Sequence, residues 1–299
     1  MMARGLATRK SGNIAMVIYR YEHLTNPVMT QVLSGIAQSI SKSAYGLSIQ
    51  AICHPGKYEN QKQRLRDIVD KMQADGLVIV AHETDPLEIL DLIKDQYPFS
   101  LANFYFPRVK ADEVRIDFVD VGKKVIEYFT TLGHKEIAIL PGPKEYGENS
   151  YFDTVDLIGG VQAAAMEFGI KIPAERLVST GYDIEEAFEA MSVLLDTKVR
   201  PTAIYAADDA IAMGVLKAVQ SRGLNVPLDV SILCGADTYI TQLAPVSLSS
   251  VKIPFPEIGC KAVEVLLDKL QGKSKETKQL ILPFEVVERE SCARRVEYI

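Results

Sequence analysis

The residues of this sequence best suited to metal ligation or nucleophilic chemistry are four histidines, His23, His54, His82 and His134, and four cysteines, Cys53, Cys234, Cys260 and Cys292. The cysteines are widely scattered without CxxC spacing, so no zinc site is expected and reduced thiols are the simpler reading. The histidines are equally dispersed. No GxGxxG or GxxxxGK[ST] loop follows the first apolar run, and no GxSxG elbow occurs, so hydride, phosphoryl and acyl transfer lack their usual machinery. The sequence therefore predicts no catalytic residues, no metal ligands, no cofactor and no enzyme activity. What remains is recognition chemistry. Polar and aromatic residues follow the first apolar run, beginning with Tyr19, Tyr21 and Glu22 and continuing into Asn26-Pro27-Val28-Met29.

The charge balance limits the partners. A formal net charge of -6 and an isoelectric point near 5.4 do not suit a surface that binds nucleic acid by neutralising phosphates, which needs clustered Lys and Arg. No apolar run approaches the roughly 20 residues of a membrane-spanning helix, and the first ten residues are mixed polar and basic, unlike a secretory leader. A cytoplasmic protein with no membrane partner is expected.

The elements that must position any site follow from hydropathy. Short apolar runs rich in β-branched residues recur at 14–19, 47–53, 76–81, 99–103, 136–140, 203–206 and 230–234, each reading as a buried parallel strand. Segments with helical periodicity lie between and after them, at 28–42, 61–74, 119–132, 159–168, 184–195, 210–222 and 257–271. Gly46, Gly76, Gly133, Gly169 and Gly223 stand just beyond amphipathic stretches, where a helix needs a left-handed exit. Alternating strand and helix predicts an α/β fold with doubly wound parallel sheets. About ten strand candidates in 299 residues exceed one small sheet and one core, so two lobes are expected. In such folds ligands sit beyond the carboxyl ends of the strands, which makes the residues just after each run the informative ones.

Read end to end, the chain resembles the core of lactose-repressor-type transcription regulators. Asn26-Pro27 followed by Gly35-Ile36 is similar to that family's first-strand exit and first helix, and Asp75-Gly76-Leu77-Val78-Ile79 to its third-strand entry. Leu132-Gly133-His134-Lys135-Glu136-Ile137-Ala138 and then Pro141-Gly142-Pro143 resemble LGHxxIA…GP. Arg200-Pro201-Thr202-Ala203-Ile204 with Ala206-Ala207-Asp208-Asp209 resembles RPTAxxxxND, and 222–231 is nearly verbatim RGLxVPxDVS. The fixed order of these strings over nearly the whole chain carries the resemblance.

The resemblance implies two lobes of periplasmic-binding-protein-like type I fold with a ligand cleft between them. It places residues 1–11 in a hinge remnant, 12–132 plus 252–277 in an N-terminal lobe and 133–251 plus 278–299 in a C-terminal lobe. Ala3-Arg4-Gly5-Leu6 resembles the end of the family's hinge helix, where the residue matching Leu6 wedges into the DNA minor groove. A helix-turn-helix headpiece precedes that helix in such repressors. The chain is read as a core separated from its headpiece or naturally without one, contacting operator DNA only in a full-length protein.

The same resemblance implies a ligand-binding set: Tyr19, Asn26, Val28, Met29, Asp117, Leu157, Tyr182, Asp208, Asp237 and Phe255. Asp117 and Asp237 match family carboxylates that can accept paired hydrogen bonds from hydroxyls or amines, although Asp117 suits a helix N-cap equally well. Asp208 stands where the family more often has Asn and could also cap a helix. Val28 and Met29 replace an aromatic pair, leaving an adaptable apolar wall. Leu157 replaces an arginine that grips sugar hydroxyls or a carboxylate, which favours a neutral sugar or polyol, unless Lys144 supplies the missing cation. Tyr182 and Phe255 offer apolar faces to a sugar ring or belong to the core.

The function expected is that of an effector-sensing, homodimeric core of a transcriptional regulator, pairing through the helices at 28–42 and 61–74 and their second-lobe counterparts. The alternative is a solute-binding protein of a sugar transporter, which shares the two-lobed fold.

Overall fold

Short polar residues set the helix starts. The side chains of Asn26, Asp85, Asp117, Asp183, Asp208 and Thr238 each accept a backbone N–H of the helix that follows, satisfying donors the helix itself cannot. The computed structural model describes residues 11–19, 21–52, 64–71, 73–80, 84–146 and 149–295. Along the chain come β1 (Asn13–Ile18), α1 (Pro27–Ile40), β2 (Gly46–Ala51), α2 (Arg64–Asp70), β3 (Gly76–Ile79), α3 (Pro86–Lys94), β4 (Phe99–Ala102) and β5 (Glu113–Arg115). Then follow α4 (Phe118–Thr131), β6 (Ile137–Leu140), β7 (Glu145–Tyr146), β8 (Asn149–Ser150), α5 (Phe152–Glu167), α6 (Ile184–Leu195), β9 (Ala203–Ala206) and α7 (Asp209–Ser221). The last are β10 (Ser231–Cys234), α8 (Tyr239–Leu243), β11 (Ser249–Lys252), α9 (Phe255–Leu270), β12 (Gln279–Ile281) and β13 (Glu285–Val287).

The chain forms two units. Unit one runs to Ile116 and takes back Pro254–Leu282; unit two holds Asp117–Ile253 and the segment from Pro283 onward. The sheet of unit one has the order β12-β5-β4-β3-β1-β2, and all its pairings are parallel. From Ile14 to Ile18 β1 has no exposed surface, which is why it reads as an unbroken apolar run. Helices α1 and α9 pack on each other, and α9 also covers β3, β4 and β5. The sheet of unit two has the order β13-β11-β10-β9-β6, parallel except that β13 runs antiparallel to β11. The α/β, doubly wound expectation holds for both.

The boundaries differ from those expected. The first crossing falls after Ile116 rather than after 132, because α4 belongs to unit two. Its apolar face of Val121, Val125, Ile126 and Phe129 is buried, and it lies flush against α5. A side-chain carbon on Gly122 would collide with the Leu157 carbonyl, and one on Gly160 with the Val119 carbonyl, so the two glycines are what permit the contact. The second crossing is at Ile253–Pro254 rather than between 251 and 252, since both of those residues belong to β11 of the second sheet. The third is at Leu282–Pro283 rather than after 277, because β12 pairs with β5. The helix expected over 159–168 starts earlier, at Phe152. Leu6 and the hinge-like segment lie outside the described residues.

Candidate functional site

The parallel strands of unit two bring their carboxyl ends to one edge of the sheet, and acidic side chains gather there. Asp208 follows β9, is buried, and accepts a hydrogen bond from Ile211 N at 2.9 Å as the N-cap of α7. Asp209, only 2% exposed, accepts from Thr238 Oγ1 at 2.8 Å, with Cys234 Sγ 3.9 Å from its other oxygen. Burial, then the neighbouring charges of Asp208 and Asp237, push the Asp209 carboxyl up to about 7 against the pull of the Thr238 hydrogen bond. Asp237 follows β10, and its Oδ1 accepts from Ser250 Oγ at 2.9 Å, Thr241 Oγ1 at 3.4 Å and Arg289 Nη2 at 2.6 Å. Arg289 also donates to the Leu248 carbonyl at 2.7 Å and to Ser250 Oγ at 2.9 Å.

The same edge carries Tyr182, which is 44% exposed and stacks its ring edge on Gly142, where the backbone has φ +86° just after β6. Leu157 is 2% exposed within α5. An arginine at that position would have to bury its guanidinium, so the Leu157 side chain serves packing. Asp117 caps α4, accepting from Val119 N at 2.9 Å and Asp120 N at 3.3 Å. Its capping role and that of Asp208 each engage one carboxylate oxygen, Oδ1.

In unit one the connection after β1 brings Tyr19, Asn26, Val28 and Met29 together. Tyr19 is buried with its ring centroid 6.2 Å from that of His23. Asn26 caps α1 by accepting from Val28 N at 2.8 Å and Met29 N at 3.4 Å, and both of these residues are half-buried. Phe255 is buried at the first turn of α9. The sequence reading overlooked Asn103. This residue directly follows β4, adopts φ +67°, and is buried with its Oδ1 lacking a hydrogen-bond partner. Its backbone lies in the left-handed region, which asparagine tolerates, and its acceptor is unmet at the carboxyl end of a strand. Its sequence signal is an amide side chain at the last position of the run 99–103. Arg289, Asp209 and Thr238 were also missed. Arg289 comes from a segment 52 residues beyond Asp237 and carries no motif.

The arrangement supplies hydrogen-bond acceptors, aromatic faces and one committed guanidinium. Among the described residues no group of three or more His, Cys, Asp or Glu is placed to hold a metal ion.

The family described as periplasmic binding protein-like domain matches residues 126–292, more than half of the chain. The chain belongs to the periplasmic binding protein-like domain family. Over 290 residues, 97% of this chain and 82% of the relative, it is 26% identical to the HTH-type transcriptional repressor CytR of Escherichia coli K12. A transcriptional regulator LacI from Bacillus cereus subsp. cytotoxis NVH 391-98 superposes with a TM-score of 0.84 at 27% identity, covering 95% of this chain and 99% of that one. A LacI family transcriptional regulator from Enterococcus faecium with bound ribose gives a TM-score of 0.80 at 23% identity, covering 95% and 100%. As a periplasmic binding protein-like domain the chain is thus similar, over nearly its whole length, to the cores of lactose-repressor-type regulators. These relatives are transcription regulators rather than enzymes.

Proposed function

We propose that this chain is the effector-sensing, dimer-forming core of a DNA-binding transcription regulator, taking a neutral sugar or polyol to switch operator affinity in the cytoplasm. The observation that carries this reading is the commitment of Arg289 to Asp237, Leu248 and Ser250, beside the carboxylates Asp208 and Asp209. Lys252, which also follows this edge, pairs with Glu285 at 2.8 Å. A site rich in acceptors, with Arg289 and Lys252 already engaged, suits ligand hydroxyls better than an anion. Within unit two Tyr182 offers a partly open aromatic face for a sugar ring, and within unit one Asn103 holds an unmet acceptor of its own. The ribose held by the Enterococcus faecium regulator supports the ligand class, and the repressor role of CytR supports the regulatory one.

A thermal-shift screen over neutral aldoses, disaccharides, polyols and nucleosides tests the reading, since a ligand of the folded state raises its stability by mass action. At least one should raise the midpoint in a dose-dependent way, and Asp237→Asn should weaken that ligand about tenfold or more. No response to any neutral hydroxylated ligand, or full affinity in Asp237→Asn, contradicts it. Light scattering should give a dimer, because paired half-sites on DNA call for two-fold symmetry; a monomer at micromolar concentration argues against the dimeric assignment.

A further inference from the structure

Unit one contains a cavity of about 470 Å³ lined by none of the candidate site residues described above. The segment 105–110 between β4 and β5 lines it together with Glu113 and Arg115 of β5 and Gln279 of β12, the partner of Glu113 in the sheet register. Its volume is within the usual range for small-molecule sites, about 300–1,000 Å³.

Three cations border the cavity. Arg108 and Lys110 are exposed, whereas the Arg115 side chain is 17% exposed and fixed in place. Its Nε donates to Glu113 Oε1 at 3.1 Å, its Nη1 to the Ile116 carbonyl at 3.1 Å, and the guanidinium carbon lies 4.2 Å from the centre of the Tyr105 ring. Glu113 is the single carboxylate among the lining residues and is 2% exposed. Its Oε2 is buried without a hydrogen-bond partner, and burial raises the Glu113 carboxyl above the ordinary carboxylate range against the opposing pull of Arg115 and then of Gln279. A buried acceptor left unmade is costly, and one at the wall of a cavity can be met by a ligand donor.

We propose that this cavity is a second ligand site, for a small hydroxylated organic anion. The anionic group pairs with Arg108 and Lys110, and a ligand hydroxyl donates to Glu113 Oε2. The placement has a consequence for regulation. Strand β5 leads directly into the crossing at Ile116–Asp117 and β12 into the crossing at Leu282–Pro283, so a ligand against both strands acts on two of the three connections between units. On the proposed effector role, which this consequence alone requires, occupancy here changes affinity at the sugar site.

Calorimetric titration of the whole chain with sn-glycerol 3-phosphate, glycerate, inorganic phosphate and glycerol tests the site. Glycerol 3-phosphate or glycerate should bind, inorganic phosphate about tenfold more weakly for want of the hydroxyl, and glycerol not measurably. The double variant Arg108→Ala/Lys110→Ala alters exposed side chains and should weaken the organic anion about tenfold or more while sparing the sugar response. Glu113→Gln should remove the preference for the hydroxylated anion over phosphate. Asp237→Asn, at the sugar site of unit two, should leave anion binding intact, so that failure of either reading is seen separately. Absence of binding by all four probes, or anion binding indifferent to the double variant, overturns the proposal.

Discussion

Arg289 donates from Nη2 to Asp237 Oδ1 at 2.6 Å, with the two side chains 18% and 8% exposed. An ion pair so far out of water is expensive to break from one side, because the remaining charge has no compensation. The same guanidinium ties Leu248 and Ser250 to Asp237, so it orients the carboxylate as well as neutralising it. Arg289→Met is expected to cost about 3 kcal/mol in denaturant unfolding, and adding Asp237→Asn to it should restore part of that loss. Losses in Arg289→Met and Asp237→Asn that simply add in the double variant would show that the contact is not a coupled pair.

Asp209 predicts a specific pH dependence. Its carboxyl is raised to about 7 in the folded chain, first by burial and then by Asp208 and Asp237, whereas an unfolded Asp titrates near 3.9. Between those values the folded state keeps a proton that the unfolded state has released. The stabilisation is therefore complete below about pH 4 and lost as pH rises through about 7. Asp209→Asn, neutral throughout and still able to accept from Thr238, should unfold at a higher temperature than the parent at pH 8, with a smaller gain at pH 5. A gain independent of pH would contradict the assignment.

His134 acts in the opposite direction. Its Nδ1 is 3.0 Å from Thr202 Oγ1, and its Nε2 is 3.0 Å from Ser231 Oγ and 3.1 Å from the Ala293 carbonyl. The acceptor-only carbonyl places the proton of the neutral ring on Nε2. Burial above all, with Arg295 nearby, lowers its pKa below the ordinary value against the opposing Ala293 hydrogen bond. The unfolded state then takes up a proton first on acidification, so this contribution is present above about pH 6.5 and is lost as pH falls. In the Asp209→Asn background, His134→Gln should flatten the decline in melting temperature between pH 7 and pH 5; an unchanged decline would mean that another group titrates there.

Gly122 tests why α4 belongs to unit two. An alanine there meets the Leu157 carbonyl and the Val161 nitrogen and must push α4 away from α5, at a cost of about 1–3 kcal/mol or more. Gly159 provides the control, since a side-chain carbon there meets nothing within 4 Å. Gly159→Ala should stabilise the helix by up to about 1 kcal/mol. If both variants behave alike in thermal unfolding, the close approach of the two helices is not what holds α4.

These glycines also show where the sequence was legible and where it was not. Strands such as β1, β3, β6, β9 and β10 are buried on both faces and stand out as apolar runs. In contrast, β5, β12 and β13 are three residues long and include Glu113, Arg115, Gln279 and Glu285, so no run announces them. The crossings adjoin these short strands or β11, and the sequence placed them wrongly for that reason. The helix at α4 was read correctly, yet its partner depends on Gly122 meeting Gly160, a contact between positions 38 residues apart. The resemblance singled out Asp208 and Asp237 but not Asn103, whose φ of +67° and unmet Oδ1 exist only in the folded chain.

The central claim is recognition of a neutral hydroxylated effector, and calorimetry on the parent and Asn103→Ala chains with the leading sugar from the screen tests it most directly. The account predicts saturable binding by the parent and about tenfold or greater weakening in Asn103→Ala, with the unliganded variant still folded and melting only somewhat lower because alanine tolerates φ +67° less well than asparagine. Undiminished sugar affinity in Asn103→Ala, or no neutral sugar bound by the parent at all, would contradict it.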